Sequence, residues 1–492
     1  MPTKNSPQKG RPFKCCLSFV ILEVVTLLFS SSIFLFFFLP LVIIGYHMLN
    51  VKFRIYFLML ASLFFYAWGE PRYILVMLLS IILNYIFGLL IHNTNTKWGR
   101  RLWLFLAIAC NLGILFYFKY LNFTLVNVNR FFGTSFVYKT VMLPIGISFF
   151  TFQGISYIID LYYRKVNIQR NPALVAFYIS FFPQLIAGPI VRYSDIEGQI
   201  YKRTESLEKF ANGAKRFVIG LAKKVIIANN VGFVADQIFS NSAIENTVAT
   251  AWIGIICYAF QIFFDFSGYS DMAIGLGKLF GFDFLENFNY PYISKSITEF
   301  WRRWHMSLST WFRDYVYIPL GGNRSGNVYL NLLIVFVLTG FWHGASFSFL
   351  VWGLWHGLFL VVERRFKLNK VNETRLNPLL HIVTLLIVII GWVFFRAEGL
   401  KEALTYIGIM FGTVRPKNVG FTVWYYIDMK VVITLAIAVI ASTPVFKLRF
   451  FKTIKTKPIY QCITGVAILA IFFISILLVI SSTYNPFIYF RF

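Results

Sequence analysis

Apolar runs long enough to cross a bilayer recur along this chain from Ile33 to Val479, separated by short basic clusters. A helix needs roughly 18 or more apolar residues to span the hydrocarbon core. Of the 492 residues 58% are apolar and 13% are charged, where an ordinary soluble domain carries about a quarter charged residues. The expected fold is therefore all-α and integral to the membrane.

The charge excess fits that reading. Lys and Arg number 46 against 20 Asp and Glu, an imbalance that in a soluble chain points to nucleic acid. Here the basic residues sit between apolar runs, at Lys97–Arg101, Lys202–Arg216 and Arg364–Arg375, as cytoplasmic loops do under the positive-inside rule. A nucleic-acid partner is not expected. The five cysteines, Cys15, Cys16, Cys110, Cys257 and Cys462, form no CxxC pair, so neither a zinc site nor a disulfide framework is suggested.

Candidate spans fall near 30–48, 54–69, 72–92, 103–121, 141–162, 172–191, 212–237, 248–264, 328–342, 345–362, 379–396, 430–446 and 462–482. Several are short or interrupted, which predicts about ten to thirteen transmembrane helices plus re-entrant segments. Leu174–Val191 contains Pro183, Gly188 and Pro189, and broken helices at membrane depth are tolerated only inside the protein or along a wet cavity. The stretch 265–327 is aromatic, polar and Gly-punctuated, too mixed for a plain lipid-facing helix. At the other end, Met1–Lys14 is basic, and the run from Cys15 to Tyr46 is long for one span and short for two. With Lys97–Arg101 cytoplasmic, a basic tail before the first span would fall on the wrong side. Residues 1–24 are expected to be an extension outside the fold, with one membrane domain over 25–492.

Titratable groups in a membrane are costly and default to a functional hypothesis. The six histidines are His47, His92, His305, His343, His356 and His381. His47, His92 and His381 lie at apparent helix ends, where an interfacial role suffices. His343 closes the run Val328–Trp342 and precedes Gly344 and Ala345, small residues that let a substrate or backbone approach. His356 repeats the same Trp-His-Gly tripeptide. On one continuous helix the two would lie about 220° and about 20 Å apart, too far to share a site, and spacing does not choose between them. His305 lies in Phe300–Tyr315, which reads as one amphipathic helix. It is either an interfacial helix with Trp and Arg anchors or a re-entrant one presenting His305, with Arg302, Arg303 or Arg313 facing donor phosphates.

Asp265 and Asp271 adjoin an apolar run at Phe264–Asp271. About 240° apart on a helix, they do not form an acid/base dyad. They read either as donor or acceptor contacts or as a structural network with the basic helix downstream. Gly275, Gly277 and Gly281 miss the dinucleotide spacing and read as helix packing. Walker, G-x-S-x-G and HExxH signatures are absent, so no metal or permanently bound cofactor is expected.

Together with Phe29–Pro40, Pro144–Gln153, Phe181–Arg192, Thr339–Gly357 and Phe487–Phe492, the 264–271 and 300–324 blocks resemble the membrane-bound O-acyltransferases, in their bacterial alginate and peptidoglycan O-acetylation branch. The resemblance runs from about residue 29 to the C-terminus. It implies tilted helices around a central tunnel, a catalytic core over about 140–362, and a bacterial cytoplasmic-membrane location. It assigns the essential histidine to His343, in Thr339-Gly340-Phe341-Trp342-His343-Gly344, and a second functional histidine to His305. The implied donor is a cytoplasmic acyl thioester, acetyl-CoA, and the implied partner an extracytoplasmic SGNH-type acetyltransferase. In related D-alanylation systems a small partner's tail resembles residues 484–492, which makes Tyr489 a candidate acyl carrier, against a plain interfacial aromatic. The rival readings are D-alanyl transfer to teichoic acid and a non-catalytic acyl transporter.

Overall fold

A computed structural model describes residues 28–137, 139–368, 378–417, 419–445, 458–482 and 484–488. Residues 1–24, expected to be an extension, and Tyr489 lie outside the described residues. Every described regular element is helical. In chain order the helices are α1 (Phe34–Met48), α2 (Val51–Gly69), α3 (Ile74–Asn93), α4 (Lys97–Phe132), α5 (Ile147–Tyr162), α6 (Pro172–Ser180), α7 (Tyr193–Tyr201), α8 (Leu207–Ser240), α9 (Val248–Leu279), α10 (Ile297–Arg303), α11 (Met306–Phe312), α12 (Val328–His343), α13 (Phe347–Arg365), α14 (Pro378–Arg396), α15 (Leu400–Met410), α16 (Met429–Ala441) and α17 (Pro458–Ser481).

Among the described residues eight helices are long and apolar enough to cross a membrane, namely α2, α3, α4, α8, α9, α13, α14 and α17, and α1, α12 and α16 are shorter apolar helices. The chain is a multi-pass membrane protein. Local chemistry sets the starts: Thr96, Ser206, Thr247, Asn327, Ser346 and Asp428 each accept a backbone N–H of the first turn, the usual N-cap role of small polar side chains.

Three segments depart from the expected spans. The 172–191 run is not one helix. It breaks after Ser180, passes through a single turn at Phe182–Leu185, and is buried throughout Leu174–Val191, which satisfies the rule that irregular backbone at depth stays inside the protein. Only Ile147–Tyr162 of the 141–162 run is helical, and nearly all of it is buried. The 248–264 run continues to Leu279, so Asp265 and Asp271 sit within a long, mostly buried helix.

Helix α9 is the centre of the molecule, and α8 lies against it. A Cβ on Gly220 would meet the Gly268 carbonyl at 2.5 Å, and one on Gly275 would meet the Gly213 carbonyl at 2.7 Å. The two backbones touch at points one heptad apart, which no larger side chain permits. Gly275 thus has the packing role expected of it. A π-helical turn at Lys223–Ala228 carries Lys223 and Lys224. Both adjacent lysines reach α9, Lys223 to Asp271 and Lys224 to Asp265, each at 2.7 Å.

Candidate active site

His343 ends α12. Gly344 follows in an extended conformation and Ser346 caps α13, so α12 and α13 are two helices joined by a tight turn rather than one. Gly340 and Gly353 face each other across the pair, with the backbone carbonyls of Phe349 and Phe336 filling the space a Cβ would need. The close approach pulls His343 into the interior at 5% exposure. Its ring packs on Trp352 and Phe395, each with centroids 5.1 Å away. The Nδ1 atom is enclosed and has no hydrogen-bond partner among the described residues.

Two cavities have His343 as a shared wall. One is lined with Phe266, Trp304, Trp392 and Ile488. The other is lined with Lys119, Pro144, Ser148 and Trp342. Lys119, on the π-helical turn Phe116–Tyr120 within α4, donates to the Trp342 carbonyl at 2.5 Å and to Ser148 Oγ at 3.2 Å. Lys119 thereby satisfies a carbonyl left free at the end of α12 and lines the second cavity. The sequence reading missed Lys119, although an isolated lysine inside a span is itself a signal.

His305 is placed differently. The expected single helix over 300–315 is broken at Trp304–His305: α10 ends at Arg303, His305 has left-handed backbone at φ 42°, and α11 begins at Met306. The contacts that stabilise the break are distant in sequence. Asn287 accepts from Ser307 N and Ser307 Oγ at 3.2 and 2.9 Å, and its backbone carbonyl accepts from Met306 N at 2.9 Å. Glu363 of α13 caps α10 by accepting from Ile297 N, and from Thr298 N and Oγ1 at 2.9 and 2.7 Å. The His305 Nδ1 lies 3.1 Å from Asn287 Oδ1. Since that oxygen accepts, Nδ1 carries the proton and Nε2 the lone pair. His305 is wholly buried, with its ring against Phe266 at 4.6 Å and Trp342 at 6.2 Å. Phe266 lines the first cavity and Trp342 the second, so His305 stands one side chain behind the place where His343 separates them.

His356 is a packing residue. It is fully buried between Phe300, Trp301 and Trp352, and neither ring nitrogen has a hydrogen-bond partner among the described residues. Trp352 lies between it and His343, 5.2 and 5.1 Å from the two rings. His47 and His92 are exposed at helix ends, as expected, and His381 faces the Ser294 carbonyl at 2.9 Å.

The charged candidates fall outside the two cavities. Arg303 pairs with Glu299 at 2.9 Å and Arg313 with Asp314 at 2.7 Å, and Arg302 is exposed. Asp314 also holds Arg192 at 2.7 Å. Burial alone would raise the Asp314 carboxyl, but hydrogen bonds and charge from Arg313 and Arg192 outweigh it and hold it below the usual carboxylate range. Asp271 binds Arg216 and Lys223, each at 2.7 Å. Its partners lie upstream on α8, not on the downstream helix.

The C-terminal segment enters the core. Tyr484 OH donates to Asp236, Asn485 bonds Ser30, and Phe487 packs on Tyr269 at 4.8 Å. Ile488 donates its N–H to Asp265 Oδ2 at 2.9 Å, and its side chain lines the first cavity.

A helical membrane protein with one buried histidine walling two cavities is the class these elements define. Residues 165–397 match the membrane-bound O-acyltransferase family. The chain is 42% identical over 499 residues to the probable alginate O-acetylase of Pseudomonas putida, covering 95% of this chain and 100% of that protein. It is 47% identical over 386 residues to the probable alginate O-acetylase of Pseudomonas aeruginosa, covering 77% and 73%. Against the peptidoglycan O-acetyltransferase of Helicobacter pylori the identity is 40% over 428 residues, covering 80% and 81%. The chain belongs to the membrane-bound O-acyltransferase family, within the branch that holds these proteins, and it is an O-acyltransferase.

Proposed function

We propose that this protein moves an acetyl group from cytoplasmic acetyl-CoA through the bacterial cytoplasmic membrane for O-acetylation of an extracytoplasmic polysaccharide, with His343 as general base. The observation that carries the proposal is the position of His343 as the wall common to two cavities, one of which also receives the C-terminal segment at Ile488.

The chemistry is acyl transfer. Neutral imidazole takes the proton of a hydroxyl as its oxygen attacks the thioester carbonyl. The C–S bond then breaks, the thiolate of CoA leaves and is protonated, and an oxygen ester remains. With Nδ1 of His343 closed off, Nε2 is the nitrogen offered to the reacting hydroxyl. His305, whose Nε2 is as enclosed as Nδ1 of His343, acts from behind the cavities, positioning the acceptor through the Phe266 and Trp342 rings it packs against. Tyr489 follows Ile488 directly and is the hydroxyl assigned to the first transfer; a second passes the acetyl group to the glycan through an SGNH-type partner. Relatives named for O-acetylation match over most of this chain, which supports acetyl over D-alanyl as the group carried. A pure transporter needs no base, and an enclosed histidine on the wall of two cavities is the feature it would leave without a use.

The test is trapping of the acyl group. Purified protein in nanodiscs with acetyl-labelled CoA should take up label on Tyr489, and Tyr489→Phe should abolish it. Full polymer acetylation by Tyr489→Phe would remove the carrier step.

A further inference from the structure

The segment that reaches the site is held by a buried ion pair. Lys224 and Asp265 have side chains 3% and 2% exposed and lie 2.7 Å apart. Two charges removed from water are stable only when their remaining hydrogen-bonding capacity is met. Here the C-terminal segment supplies one bond to each partner: Lys224 Nζ donates to the Pro486 carbonyl, and Asp265 Oδ2 accepts from Ile488 N at 2.9 Å. A carbonyl and an N–H on either side of Phe487 therefore face one cation and one anion. Only backbone is read at these two points. The pair comes from α8 and α9, the two helices in backbone contact at Gly220 and Gly268, so both charges sit on directly packed helices.

We propose that Lys224 and Asp265 are positioning residues that latch the C-terminal segment 484–488, seating Ile488 at the wall of the cavity it shares with His343. The inference rests on the functional reading above, and it adds that transfer requires the segment to be seated. The pair's charges serve the chain's own backbone, and Asp265 is not a donor-binding carboxylate.

Two lesions test it from opposite sides. Lys224→Met with Asp265→Leu removes both charges together, leaving neither buried alone. Ile488→Pro removes the donated N–H without touching a core helix, and Ile488→Ala keeps it. The readouts are hydrogen–deuterium exchange of the peptide containing 484–488 in nanodiscs, and acetyl-transfer kinetics per folded protein. In the double variant and in Ile488→Pro, exchange of the tail should rise about tenfold or more while α8 and α9 stay protected. The kcat should fall at least about tenfold with the KM for acetyl-CoA within about twofold, because the pair does not touch the donor. The tail of Ile488→Ala should exchange as slowly as the parent's. Unchanged tail exchange in the double variant and in Ile488→Pro overturns the latch, and so does faster exchange with full kcat. The exchange result does not depend on His343, so a fully active His343→Ala would remove the functional reading while leaving the latch to be judged on its own.

Discussion

Helices α9 and α17 are both read from hydropathy as membrane spans, yet 67% of the most apolar window of α9 is buried inside the protein and only 6% of that of α17. Helix α17 presents Ile459, Ile463, Val466, Leu469, Phe473 and Leu477 outward, a broad apolar face that suits lipid, while its other side packs on α8. Helix α9 carries Gln261, Asp265, Ser267, Ser270 and Asp271 among its apolar residues. The two aspartates are possible there because α8 supplies Lys223, Lys224 and Arg216 at hydrogen-bonding distance. One helix leaves most of its apolar surface outside the protein and the other is covered by it. They meet at the C-terminal segment, which follows α17 and donates the Ile488 N–H to Asp265 of α9.

The sharpest way to break this contrast is to enlarge a residue at the α8–α9 contact. Gly220→Leu should prevent the protein from accumulating as a folded monodisperse species in detergent, because its side chain would have to enter the Gly268 carbonyl and the Met272 amide at 2.5 and 2.7 Å. Recovery at parental levels would mean that the two helices are not in backbone contact.

A smaller effect should separate backbone from chemistry at His305. Asn tolerates left-handed backbone, whereas Ala there costs about 1–2 kcal/mol. Both variants empty part of a buried ring pocket, but His305→Asn should melt above His305→Ala, and each should lose at least about tenfold in transfer rate. Equal melting temperatures for the two would show that the left-handed turn does not matter.

The ion pairs of Asp314 with Arg192 and Arg313 respond to pH. The Asp314 carboxyl titrates below its unfolded value, so the stability it contributes is fully present above the ordinary carboxylate range and is lost as pH falls through its lowered value. Asp314→Asn should thus melt below the parent at neutral pH, and the two curves should converge in acid. A gap independent of pH would point to packing instead.

The smallest effect belongs to the outer helix. Val466→Ala, at a position 62% exposed on α17, should change stability by no more than about 0.5 kcal/mol. A larger loss would show that this face is covered by protein and not by lipid.

What was legible in the sequence follows the same division. The lipid-facing spans were readable because their apolar character is local. The end of α9 was misplaced at 264 because Asp265 and Asp271 look like the end of a span, and the cations that neutralise them lie on another helix. The break at Trp304–His305 left no signature either: neither Gly nor Pro marks it, and Asn287 and Glu363 are far away in the chain. For His343 and His356, spacing was silent because it assumed one helix. The burial of His356 among aromatic rings, and the two cavities at His343, separate them. Asp265 was noticed for its charge, but that its partners are Lys224 and the C-terminal segment was invisible without the fold.

The central claim is that His343 is the base of an acyl transfer. Its most direct test is the O-acetyl ester content of the cell's exported polymer, measured with His343→Ala replacing the parent at equal folded levels in the membrane. The account predicts a loss of at least about a hundredfold. Parental acetylation by folded His343→Ala would contradict it.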